Sequence, residues 1–108
     1  MDIPQIDRVF ASPGRFGVVS QLIESGGQAT FGALAAHPFI DGDAGSLNRH
    51  NARLKREGYV TIEKRFVDNK PETTIALTDQ GRQAFGRHCR ALGKVIGKVI
   101  KAMTEEAA

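Results

Sequence analysis

A single cysteine, Cys89, stands among 108 residues, so no internal disulfide can staple this chain. That suits a reducing compartment. No apolar run reaches the roughly 20 residues that a bilayer span needs. The opening MDIPQIDRVF has no basic stretch ahead of an apolar core and is not read as a secretory signal. A cytoplasmic protein with no membrane partner is expected. Internal repeats, low-complexity segments and linkers are absent. So are a Gly-rich phosphate loop, a Ser-His-Asp arrangement and a carboxylate pair on one face of a core element. The chain is therefore not expected to be an enzyme. His37, His50, His88 and Cys89 do not fall into the short-spaced ligand pairs of structural zinc, and neither a metal nor a cofactor is expected.

What is present is a core and an uneven distribution of charge. Apolar residues make up 41 % of the chain, enough for one globular domain spanning residues 1–108. The net charge is only +3, but residues 1–48 carry two basic side chains against five acidic ones. Residues 49–70 reverse this, with Arg49, Arg53, Lys55, Arg56, Lys64, Arg65 and Lys70 against Glu57, Glu63 and Asp68. Such a local excess marks either a polyanion-binding surface or a solvated basic helix face.

Periodicity supplies the elements. Ser12 caps a first helix with Pro13 in its first turn; Phe16, Val19, Leu22 and Ile23 form its apolar side, and Gly26-Gly27 ends it. Thr30 caps a short second helix with Phe31, Leu34 and Ala35 inward, ahead of Pro38 and a DGD turn. A third helix runs from about Asp43 to Glu57, with Gly58 as its stop. It buries Leu47, Asn51 and Leu54, with His50 beside them, and points Arg49, Ala52, Arg53 and Arg56 away. Val60, Ile62, Lys64 and Phe66 then alternate with Thr61, Glu63, Arg65 and Val67, and TTIALT follows. The two runs predict a β-hairpin with DNKPE as its tip and Pro71 in loop or edge.

A last helix is expected over about residues 79–104, after a core of about 7–78. Phe85, Cys89, Leu92, Ile96, Val99 and Met103 follow a heptad seam. The first two turns suit the domain's own core. The seam is too long for so small a core to cover, so its C-terminal half is expected to meet another chain.

This order is that of a winged helix-turn-helix, an α+β, mainly helical fold with a two-stranded wing and a long dimerisation helix. The stretches SPGRFGVVSQLIESGGQATFGALA, GSLNRHNARLKREGYVTIEKRF and NKPETTIALTDQGRQAF also resemble the small winged-helix transcriptional regulators related to the MarR and ArsR groups, over roughly residues 7–100. The resemblance implies a homodimer binding double-stranded DNA. It implies that Ser46, Asn48, Arg49 and Arg53 lie at or near DNA, with Arg65, Asn69 and Lys70 on the wing. Thr30 is a candidate phosphate ligand through its hydroxyl and free backbone N–H groups. Lys64 is expected on phosphate, and Arg56, near the end of the helix, on phosphate or in solvent. Arg49 and Arg53 are candidates for guanine or for phosphate, with at least one on phosphate.

Two departures stand out: Asn51 occupies an inward position that the family fills with leucine, and HPFIDGDAG is about two residues longer than the family's turn. The alternative reading is a winged helix that binds an acidic protein through the same basic patch, with Phe39 and Ile40 as its exposed apolar candidates. No residue set announces a small-molecule effector.

Overall fold

A computed structural model describes residues 6–40 and 43–107. The expected DGD turn falls on Asp41 and Gly42, outside the described residues. The elements are a 3-10 turn at Arg8–Ala11, α1 (Pro13–Glu24), β1 (Gln28–Thr30), α2 (Phe31–Ala35), α3 (Ala44–Arg56), β2 (Val60–Val67), β3 (Lys70–Leu77) and α4 (Asp79–Ala107). The three strands make an antiparallel sheet in the order β1-β3-β2. The arrangement is the α+β winged helix expected from the order of elements.

The helix ends follow local chemistry. Ser12 Oγ accepts the Arg15 N–H at 3.4 Å, Thr30 Oγ1 accepts the Ala33 N–H at 3.2 Å, and Asp43 Oδ1 accepts the Gly45 N–H at 3.0 Å. Gly27, with φ at +113°, turns the chain out of α1, and its carbonyl accepts the Leu77 N–H at 2.8 Å. The end of α1 is thereby tied to β3. Close packing holds the glycine-weakened start of α1: a Cβ at Gly14 would overlap the His50 ring. The inward face of α1 is accordingly Gly14, Gly17, Val18, Val19 and Leu22, while Ile23 is exposed.

The core joins Val18, Val19 and Leu22 to Leu34, Leu47, Leu54, Val60 and Ile75. Two of its members lie outside every periodic segment. Val9 and Phe10 are buried by the 3-10 turn, whose cap is Asp7, with Oδ1 accepting the Val9 N–H at 2.9 Å. Phe10 stacks on Tyr59 and meets Phe85 edge-on, with ring centroids 5.4 and 5.0 Å apart. The Asp7 N–H donates to His88 Nδ1 at 3.0 Å, and the Tyr59 hydroxyl donates to Asp7 Oδ2.

Tyr59 is the only tyrosine in a chain without tryptophan, so its ionisation can be read directly by absorbance. Burial, then the bond to Asp7, pushes its pKa from 10.0 up to about 12. Between those values the folded chain keeps a proton that the unfolded chain has lost. Stability from this group is therefore complete below pH 10 and falls as pH rises towards 12. The phenolate band should appear near pH 12 in the folded protein and near pH 10 in denaturant. Tyr59→Phe should flatten the alkaline loss of stability.

The hairpin is longer and tighter than the expected DNKPE tip. Its strands pair from Val60↔Leu77 to Val67↔Lys70, leaving only Asp68 and Asn69 as the turn, with φ of 52° and 64°. Positive φ at both central residues is the twist-matching turn of a two-residue hairpin. Pro71 lies inside β3, beyond the end of β1, where its missing N–H interrupts no neighbouring ladder. The short β1, pairing with β3 from Gln28↔Ala76 to Thr30↔Thr74, adds a third strand that no alternation announces.

α4 divides in two. Ala84, Phe85 and His88 are buried, and Cys89 packs against the core. Phe85 heads the heptad seam but lies in the first two turns, which suit the domain's own core; it is 7 % exposed and packs within the chain against Phe10 and Phe16, so it does not belong to a dimer interface. Cys89 likewise meets its own domain, and burial raises its thiol pKa against a smaller lowering by Arg90. Beyond half-buried Leu92, residues 93–107 are exposed, including Ile96, Val99 and Met103. No helix among the described residues is long and apolar enough to cross a membrane.

Candidate nucleic-acid interface

The 3.6-residue period of α3 gives each of its faces a different neighbour. Leu47 and Leu54 are wholly buried and Asn51 is 3 % exposed. Asn51 Oδ1 has no hydrogen-bond partner among the described residues. An unsatisfied buried amide of this kind costs about 1–3 kcal/mol. The flank towards α1 carries His50, against Gly14, and Arg53. Arg53 Nε lies 3.2 Å from Glu57 Oε1. It is also close enough to Arg15 to add to the lowering of that residue's pKa by burial.

Arg53, expected on the outward face, is therefore half-buried beside α1 and engaged within the helix. Arg49 and Arg56 are exposed on the face opposite the core, with Arg49 Nη2 donating to Ser46 Oγ at 3.0 Å.

The other flank opens on a groove of about 800 Å³. Asn48, Ala52 and Lys55 line it from α3, Phe31 from α2, and Ile62, Lys64 and Thr73 from the hairpin. Lys55, counted from the sequence in the basic excess but given no DNA contact of its own, belongs to this surface. Its spacing from Asn48, two turns further along the same face, was the available signal. The groove is amphipathic: Lys55 and Lys64 share its lining with apolar Phe31, Ala52 and Ile62 and with polar Asn48, Asn51 and Thr73.

Strand register sorts the wing residues. Lys64 faces the groove opposite Thr73, and Phe66 follows on the same side opposite Pro71. Arg65 alternates to the reverse side, paired with Glu72 across the ladder and 3.9 Å from Glu63 Oε2. That exposed ion pair contributes little, but Arg65 does not share the Lys64 surface. Asn69 is in the turn, and Lys70 closes it. The Thr30 hydroxyl already accepts the Ala33 N–H, so part of the anion-binding capacity expected there serves as the α2 cap.

Ile40, expected as an exposed apolar candidate beside Phe39, is 7 % exposed and part of the core; Phe39 is 51 % exposed. The structure thus joins Asn48, Lys55 and Lys64 in one groove, places Arg49 and Arg56 on the outer face, and sets Arg53 and Arg65 apart. Among the described residues no group of three or more His, Cys, Asp or Glu side chains comes together as a metal site.

A family model described as "Winged helix DNA-binding domain" matches residues 15–96, from the α1 arginine to the middle of α4. The chain belongs to this winged helix DNA-binding domain family. Two solved structures share its fold. One is a transcriptional regulator homologue protein from Pyrococcus horikoshii OT3, with TM-score 0.75, 27% identity, and coverage of 86% of this chain and 89% of that one. The other is the organohalide sensing RdhR-CbdbA1625 transcriptional regulator in its 2,4-dichlorophenol bound form. Its TM-score is 0.68 at 21% identity, covering 81% of this chain but only 50% of that one. None of the curated proteins compared with this chain matches it. In this winged helix the β2–β3 hairpin is the wing, and the family is one of DNA-binding proteins, not enzymes.

Proposed function

We propose that the protein is a sequence-specific, DNA-binding transcriptional regulator that acts as a homodimer in the cytoplasm. Its α3 enters a major groove and its wing meets the flanking backbone or minor groove. The observation that carries this reading is the continuity of the basic surface. Arg49 and Arg56 crown the face of α3 opposite Leu47 and Leu54, and Lys55 and Lys64 extend it across the groove to the wing. Small residues, Gly45 one turn before Arg49 and Ala52 between Arg49 and Arg56, let the helix approach base edges. Membership of the family supports DNA as the partner, and the archaeal relative at 27% identity supports a regulatory role. The exposed second half of α4 supports a second copy. Half-sites would then lie about one helical turn of DNA apart, or a multiple of it.

Fluorescence anisotropy with the protein's own upstream DNA and a random duplex, at two salt concentrations, tests this reading. Binding should favour the upstream DNA and weaken steeply with salt, because lysine and arginine release condensed counterions. Lys64→Ala should weaken both duplexes by the same factor and reduce the salt slope by about 0.9. Arg49→Ala should cost about 1–3 kcal/mol on the upstream DNA and less on the random duplex, because a lost base contact removes discrimination. Equal losses on both would remove the base-reading role of Arg49. Absence of binding at low salt would overturn the proposal.

A further inference from the structure

Phe66 is 78 % exposed, the highest value among the exposed large apolar side chains of the described residues. It does not lie on the apolar stripe of α4. It stands one pair from the wing turn, opposite Pro71, on the side that carries Ile62 and Lys64 into the groove beside α3. On this side the cross-strand pairs are Ile62↔Ile75, Lys64↔Thr73 and Phe66↔Pro71, with one cation and no acid. The wing's Glu63 and Glu72 alternate to the reverse side, with Arg65 between them in the ladder. Asp68 sits in the turn itself, next to Asn69 and Lys70. The ring is therefore presented on a surface compatible with a polyanion, at a tip only two residues wide.

Reach agrees with charge. Ile62 is the last β2 side chain packed against the core, and Phe66 lies four residues beyond it. At 3.3 Å per residue that is roughly 13 Å of projecting ribbon. Half a helical turn of DNA is roughly 17 Å, the step from a major groove to the minor groove beside it.

From these observations, and resting on the DNA-binding reading above, we infer that Phe66, backed by Pro71, is an apolar wedge. It enters the minor groove and partly unstacks one base step, bending the duplex. Exposed apolar side chains on minor-groove proteins act in this way. The step it enters should be a flexible pyrimidine–purine one, TA or CA, because unstacking is cheapest there. Phe66 would then add sequence preference without a hydrogen bond to any base.

The test uses duplexes from the protein's own upstream DNA, with 2-aminopurine placed in turn at each TA and CA step and a fluorophore pair on the ends. Wild-type protein should raise 2-aminopurine fluorescence at one step per half-site and shorten the end-to-end distance. Phe66→Ala should abolish both signals and weaken binding on the order of tenfold, with the salt slope unchanged. Phe66→Leu should keep part of both signals. Thermal unfolding should be the same in all three proteins, since the ring lies outside the core. Equal fluorescence and bending in wild type and Phe66→Ala would overturn the wedge and leave the DNA reading standing, as would weaker binding with both signals intact. Failure of the wild type to bind DNA at low salt would overturn both.

Discussion

Replacing Ile96 and Val99 together by glutamate is expected to make the protein monomeric and to lower its affinity for operator DNA by about 100-fold or more. Both side chains are half exposed in the single chain, at 46% and 50%, with Met103 at 62% on the same stripe. A lone helical segment of this length is marginal in water. Gly93 and Gly97 weaken it further, by up to roughly 1 kcal/mol each. In the proposed homodimer a partner helix laid along the stripe would supply the missing burial, since a second copy presents the same stripe. Glutamates in that seam would bury unpaired charge, which closes off pairing without touching the core. Loss of the dimer separates two linked half-site contacts, whose joint affinity exceeds either alone by about 10²–10⁴. Sedimentation should show a monomer with an intact winged-helix core, and anisotropy should show the loss on operator DNA. A double variant that remains dimeric would place the interface elsewhere.

The split in α4 shows where sequence reading reached and where it stopped. A heptad spacing is the same for a core stripe and for a partner stripe. The period located Phe85, Cys89 and Met103 on one line but could not say that Phe85 meets Phe10 and Phe16. Phe10 itself was out of reach, because a four-residue 3-10 turn has no period to detect. The same holds for the three residues of β1. The α3 ends were legible because Asp43 and Gly58 are strong local signals, and so was its buried line Leu47–Asn51–Leu54. A helical wheel gives angles and not neighbours. It pointed Arg53 outward, while the adjoining α1 and Glu57 engage it, and it gave Lys55 a charge but no neighbour, although the wing shares a groove with it. In the hairpin, proline leaves loop and edge open at Pro71, and the DNKPE tip takes in Lys70-Pro71. Because β1 ends at Thr30, Pro71 lies on an edge within β3, the second of those two positions.

Phe85→Ala is expected to destabilise the domain by about 3–5 kcal/mol, the usual cost of emptying a buried phenylalanine site. Phe85 joins three elements at once: its ring lies 5.0 Å from both Phe10 and Phe16, and it anchors the first turns of α4. Those neighbours cannot easily collapse into the gap. Phe10 is held between Phe85, Tyr59 and His88, and the buried start of α1 is fixed against His50. Since a domain of this kind has only about 5–15 kcal/mol in hand, the variant should approach unfolding at physiological temperature. Its melting temperature should fall by roughly 12 °C or more. The fall should be of similar size in dilute and in concentrated protein, because the lost contacts lie within one chain. The Ile96/Val99 double glutamate differs in kind: it removes the dependence of melting temperature on protein concentration, since a monomer has no association to contribute. Urea unfolding of wild type and both variants at two concentrations therefore separates the two halves of α4. A Phe85→Ala protein of normal stability but weakened self-association would show that the partner stripe begins at Phe85 and not beyond Leu92.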